Sequence, residues 1–180
     1  MVIRDTDISD VKIIEPRVFA DTRGYFFESY NKKKFDELIG YEVDFIQDNE
    51  ALSSYGVLRG LHYQKGEYAQ AKLLRVVKGK VLDVAVDIRK DSPTFGQHIT
   101  QILSEENKLQ MFIPRGFAHG YAALSDEVIF QYKCDNYYCP ASEGGISFDD
   151  KDLGIDWMIP REDMILSDKD LVYGGLDSII

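Results

Sequence analysis

The chain has 180 residues, with 31 Asp and Glu against 21 Lys and Arg and a net charge of −10. That length fits a single domain, residues 1–180, with a sizeable core. The charge excludes broad binding to nucleic-acid phosphate or anionic lipid, while a local basic pocket for a small anion stays open.

The opening stretch "MVIRDTDISDV" carries acidic residues and no long apolar run, so it is not a secretory signal. No segment approaches the ~20 apolar residues of a membrane-spanning helix, and the expected location is the cytoplasm. "GYFFESY" (24–30) is the first strand candidate. "NKKKFDELIG" is the best helix: Asn31 caps it, Phe35, Leu38 and Ile39 share a face, and Gly40 ends it. "GVLRGLHYQ" (56–64) has the apolar content of a buried strand, yet Arg59 and His62 are wedged into it three positions apart. "KLLRVV" leads through Gly79, a hairpin turn or barrel corner, into "KVLDVAVDI". There Leu82, Val84, Val86 and Ile88 alternate with Asp83, Ala85, Asp87 and Arg89, which predicts one apolar and one largely polar face. "HITQILS", "LQMFIP", "GYAALS" and "VIFQYKC" are further strands, and the tail 150–170 consists of loops and short turns. Many short strands separated by Gly, Pro and Asp turns predict an all-β sandwich or barrel with one or two marginal helices.

Cys134 and Cys139 are the only cysteines, and their C-x4-C spacing has no second half to complete a zinc site. Of three histidines, His98 has no reactive neighbours in sequence. His62 shares its strand with Arg59 and precedes Gln64 and Lys72. His119 lies in "PRGFAHGY", where Pro114, Gly116 and Gly120 permit tight turns toward a cavity.

Gly56 with His62, and Pro114, Gly116 and His119, resemble the two motifs of the cupins, small β-barrels whose motifs line the interior. Gln64 stands where metal-binding cupins place a second histidine, and an amide is a poor transition-metal ligand. A closer resemblance spans about Ile13 to Asp170. "FADTRGYFFESYN", "QDN", "GVLRGLHYQ", "QAKLLRVVKGKVLDVAVDIRKDSPTFG", "PRGFAHGY", "YKCDNYY" and "LSDKD" are similar, in order and spacing, to the dTDP-4-dehydrorhamnose 3,5-epimerase family.

The resemblance implies a cupin-like barrel or jelly roll, no metal or other cofactor, and a homodimer whose N-terminal strands cross to the partner. It implies a thymidine-diphosphate-linked 4-keto-6-deoxyglucose as substrate, inverted at C3 and C5, the carbons flanking the ketone. An imidazole, with a pKa of ~6.5, suits removal of the α-proton, and His62 matches the family's base. Asp170 matches the carboxylate that orients it, although from the residues alone Asp168 is equivalent. Lys72 matches the lysine that steadies the enolate, and Tyr132, a phenol that keeps its proton at neutral pH, matches the acid on the far face. Arg59 and Arg23 match diphosphate contacts, and Gln47, Asn49 and Glu28 match polar contacts toward the nucleotide. Phe19 and Phe26 are expected beside thymine, although from the residues alone either fits the core equally well, with His119 near the sugar and Tyr138 in the binding wall. Glu50, Ala51 and Tyr121 depart from the family's usual residues. Three rival activities remain: epimerisation at one carbon, which keeps the same motifs; a metal-dependent cupin reaction, against which Gln64 argues; and a non-catalytic sugar-nucleotide binder, which has no need for a base, a lysine and a far-side tyrosine together.

Overall fold

The structure, a computed structural model, describes residues 1–179. In chain order its strands are β1 (Val2–Asp5), β2 (Lys12–Glu15), β3 (Val18–Asp21), β4 (Gly24–Phe27), β5 (Gln47–Ser53), β6 (Leu58–Gln64), β7 (Lys72–Lys78), β8 (Lys80–Asp87), β9 (His98–Ser104), β10 (Gln110–Ile113), β11 (Phe117–Ala123), β12 (Val128–Cys134) and β13 (Glu143–Gly145). The helix α1 (Lys32–Ile39) stands between β4 and β5. Its start is fixed by the Asn31 side chain, which accepts from the Lys34 N–H at 3.2 Å, and its end by Gly40 in the left-handed region at φ +90°.

The strands form a six-stranded sheet, β1-β2-β10-β7-β12-β5, and a five-stranded sheet, β13-β6-β11-β8-β9, both antiparallel. Their inner faces share one core: Leu74, Val76 and Phe130 from the first meet Val81, Ala85, Leu103 and Phe117 from the second. Burying such side chains contributes about 1.5–3 kcal/mol each for the larger ones, and this holds the sheets together. Gly79 is the corner where the chain leaves one sheet for the other, and a Cβ there would lie 2.2 Å from the Glu127 carbonyl oxygen.

Three sequence expectations change. First, β8 has no polar solvent face: Asp83 and Asp87 are both fully buried. Leu82, Val84 and Val86 pack instead under Phe148, Leu153, Trp157 and Ile159 of the tail, which forms a third layer. Asp87 is satisfied by Arg89, Ser92 and Thr94, while Asp83 bonds His119 through one of its two oxygens. Second, Gly120 lies within β11 and makes no turn. Third, the strand expected over 24–30 stops at Phe27, while β5, with the unpatterned sequence QDNEALS, is an edge strand that the alternation did not reveal.

β3 and β4 stand apart as a two-stranded hairpin. Two of its aromatic residues face outward, with Phe19 51% and Phe26 70% exposed.

Candidate active site

The spacing of Arg59 and His62 is odd for a strand, because residues three apart point to opposite faces. β6 resolves this with a bulge. His62 pairs with His119 and Arg59 with Tyr121, so three steps along β6 oppose two along β11. The extra residue brings Arg59 and His62 to the same side. Gly60, at φ +126°, makes the bulge possible: a Cβ on it would lie 2.5 Å from the Gly120 Cα and 2.8 Å from the His119 carbonyl oxygen.

Both side chains line a cavity of about 880 Å³ between the two sheets. The five-stranded sheet contributes Arg59, His62 and His119, and the six-stranded sheet contributes Gln47, Asn49, Lys72 and Tyr132. Tyr138 stands at the exposed rim.

His62 bonds through Nε2 to Asp170 Oδ1 at 2.5 Å, across 108 residues of sequence. Asp170 is brought there by the tail, which is stitched to β6: Ile165 donates to Gly56 and accepts from Leu58. Gly56 permits this approach, since a Cβ would lie 2.2 Å from the Asp163 carbonyl oxygen. A turn from Ser167 then presents Asp170, whose Oδ2 accepts from Ser167 Oγ at 2.7 Å. Asp168 points to solvent and is not bonded to His62. Burial opposes the Asp170 carboxylate, yet the bonds from His62 and Ser167 outweigh it and hold its pKa below the usual range.

A second pair lies deeper, where His119 Nε2 meets Asp83 Oδ1 at 2.7 Å. Burial is the largest influence on both, pushing the His119 pKa down and that of Asp83 up, while each draws the other back. Asp83 Oδ2 has no hydrogen-bond partner among the described residues. Burial also lowers the Lys72 pKa, against the nearby Cys134, Asp83 and Glu143. Tyr132 is pushed up to about 12, first by burial and then by Cys134 and Tyr121. Its phenol therefore keeps its proton throughout the neutral range.

Sequence reasoning did not single out Asp83, Glu143, Ser167 or Lys169 for this site. Glu143 accepts from the Tyr138 hydroxyl at 2.8 Å and is ion-paired with Lys169 at the cavity wall. Tyr121, noted only as a departure, stacks on Phe130 at 4.3 Å and bonds Ser53 Oγ through its hydroxyl at 3.0 Å. The motif AHG was the available signal for Tyr121, whereas nothing local marks Glu143. Gln64 uses its side-chain oxygen on the Cys139 N–H at 2.9 Å.

Four expected binding residues lie outside the cavity. Phe19 and Phe26 face each other across the β3–β4 hairpin. Arg23 is paired with Asp21 at 2.6 Å, and Glu28 with Lys34 at 2.7 Å. One chain thus gathers the expected acid, base and lysine, but not these four.

The family model for dTDP-4-dehydrorhamnose 3,5-epimerase matches residues 5–177. A relative of that name from Salmonella typhimurium is 57% identical over 157 residues, 87% of this chain and 86% of its own length. The crystal structure of a dTDP-4-dehydrorhamnose 3,5-epimerase from Elizabethkingia anophelis is 56% identical, covers 99% of this chain and 97% of its own, and superposes with a TM-score of 0.95. So does a dTDP-6-deoxy-D-glucose-3,5-epimerase from Legionella pneumophila in complex with dTDP-4-keto-L-rhamnose, 49% identical and covering 99% of this chain and 94% of its own.

Proposed function

The chain belongs to the dTDP-4-dehydrorhamnose 3,5-epimerase family, and we propose that it works through the cavity between its two sheets. It is an isomerase of dTDP-L-rhamnose formation, converting dTDP-4-dehydro-6-deoxy-D-glucose to dTDP-4-dehydro-L-rhamnose. Each inversion removes a proton beside the C4 ketone and returns one to the opposite face.

In our reading His62 is the base. Its Nε2 is occupied by Asp170, so Nδ1 is the nitrogen that receives the substrate proton. Asp170 fixes the ring's tautomer and stabilises the imidazolium that forms. Lys72 meets the enolate oxygen: burial loosens the ammonium's hold on its proton, which suits sharing that proton with a developing anion. His119, anchored by Asp83, supports the same oxygen. Tyr132 gives its proton to the carbon from the other side.

The observation that carries this division is the placement of His62 and Tyr132 on opposing sheets across one cavity. A sugar ring lying between the sheets has the imidazole on one face and the phenol on the other. Arg59, Gln47 and Asn49 then bind the diphosphate and nucleotide, with Tyr138 at the rim. Arg23, Glu28, Phe19 and Phe26 act in a homodimer, where the exposed hairpin of one copy reaches the neighbour's cavity. The paired sheets form a single cupin-like jelly-roll domain, and the enzyme works in the cytoplasm.

Proton NMR of the keto sugar with enzyme in deuterated water tests the reading. One deuteron each at C3 and C5, absent with His62→Asn, is expected. Exchange retained in a folded His62→Asn protein would sink it.

A further inference from the structure

The tail does not end its work at Asp170. Lys169 O accepts from the Val172 N–H at 3.4 Å, which turns the chain back, and Gly174 O accepts from the Ser147 N–H at 2.8 Å, which pins it just beyond β13. Between these ties the side chains of Leu171 and Val172 point to solvent, while Tyr173 alone turns inward. Its ring stands at 67° to the His62 imidazole, with centroids 5.7 Å apart.

The seat for that ring is built by β13. Gly145 pairs with His62 in the sheet register, and a Cβ on Gly145 would lie 2.4–2.6 Å from three atoms of the Tyr173 ring. Glycine at this position leaves the space that the phenol ring occupies. The result is an imidazole held at two points: Asp170 bonds one nitrogen, and the aromatic ring limits rotation about that bond. The Asp170 side chain is left 3% exposed and that of His62 25%.

Resting on the functional reading above, we propose that Tyr173 is a positioning residue for proton abstraction. Its ring, seated on Gly145, fixes the imidazole plane so that Nδ1 faces the substrate, and it screens the His62–Asp170 bond from water. The ring carries this function, and the hydroxyl does not.

The test uses the full chain with Tyr173→Ala, Tyr173→Phe and Gly145→Ala, following deuterium exchange of the dTDP-linked 4-keto sugar. A reactive group misplaced by an ångström loses about a hundredfold in rate. Tyr173→Ala and Gly145→Ala should therefore each lower kcat by about ten- to a hundredfold, with KM within about twofold. Tyr173→Phe should match the parent. The low-field NMR signal of the proton between His62 and Asp170 should exchange with water faster in Tyr173→Ala and persist in Tyr173→Phe.

Unchanged kcat in Tyr173→Ala, a loss confined to KM, or a Tyr173→Phe protein as impaired as Tyr173→Ala would each overturn the proposal. If Gly145→Ala fails to fold, Tyr173→Leu, which fills the seat without an aromatic ring, decides with Tyr173→Ala. Absence of exchange in the parent would instead overturn the epimerase reading itself.

Discussion

The cavity and the β3–β4 hairpin handle their polar groups in opposite ways. In the cavity, partners come from far apart in the chain, His62 with Asp170 and His119 with Asp83, while Lys72 forms no salt bridge among the described residues. On and just beyond the hairpin, Arg23 and Glu28 bond neighbours two to six residues away, and the Phe19 and Phe26 rings stand exposed. Long-range pairing under burial fixes a geometry that short exposed pairs cannot, because exposed ion pairs are worth only ~0–1 kcal/mol and exchange readily. The cavity's pairs are therefore held in place by burial within one chain, whereas the hairpin's local pairs remain exchangeable.

The largest effect should follow removal of the base. His62→Asn keeps the size and polarity of the ring's near half but cannot take the proton, and it should lower exchange by about 10²–10⁴. Thermal unfolding of the variant, compared with the parent, checks that the sheets persist. A rate within tenfold of the parent would assign the base elsewhere.

Lys72→Met should come next, at about 10²–10³ in kcat, the usual cost of losing one donor to a developing oxyanion in a dry site. The pH dependence follows from the shifts. Lys72 sits below 10.5 because burial disfavours its charge, while Tyr132 is raised to about 12. As pH rises Lys72 therefore loses its proton first, and the alkaline limb of kcat should fall below 10.5 and belong to lysine. Lys72→Arg, which stays charged, should move that limb upward. A limb that does not move would assign it to another group.

A smaller loss is expected from Gly60→Ala. The added methyl meets Gly120 and the His119 carbonyl in a backbone conformation that alanine resists. The cost should be about 1–3 kcal/mol in stability from strain alone. Because the bulge aims both Arg59 and His62, activity should drop even in molecules that remain folded. Urea titration alongside the exchange assay separates the two effects.

The strands with apolar alternation were legible in the sequence: β9 and β12 match their expected spans residue for residue. The edge strands were not, since a strand such as QDNEALS owes its state to pairing with β12 and carries no pattern of its own. Asp83 and Asp87 misled the reading of β8 because charge in alternate positions normally marks a solvent face. Here that face is interior: Asp87 is bonded by residues two to seven positions further on, and Asp83 by His119 on the adjacent strand β11. The motifs brought His62, Lys72, His119 and Tyr132 to attention one at a time. Only the fold reveals the bulge that aims His62; the match at LSDKD already pointed to Asp170, and the fold shows how the tail brings it, and not Asp168, to that ring. A glycine between Arg59 and Leu61 was the one local sign of the bulge, readable only once the three-residue spacing is taken as a problem.

The smallest effect on kcat should come from the hairpin, and it tests the contrast between the two regions most directly. If Arg23 serves the diphosphate, Arg23→Ala removes a charge-assisted hydrogen bond of about 1.5–3 kcal/mol, raising KM by roughly ten- to a hundredfold with kcat little changed. Within one chain the guanidinium lies outside the cavity and is engaged with Asp21. The contact must then be made across a dimer. Arg23→Ala has an intact cavity but a defective hairpin, and His62→Asn has the reverse. Subunits exchanged between the two pure variants should form mixed dimers in which one cavity has both a working base and a working hairpin, restoring low-KM activity to at most half of the sites. Recovery would separate the regions by subunit. A mixture that shows only the sum of its parts would mean that each hairpin serves its own chain, or no site at all.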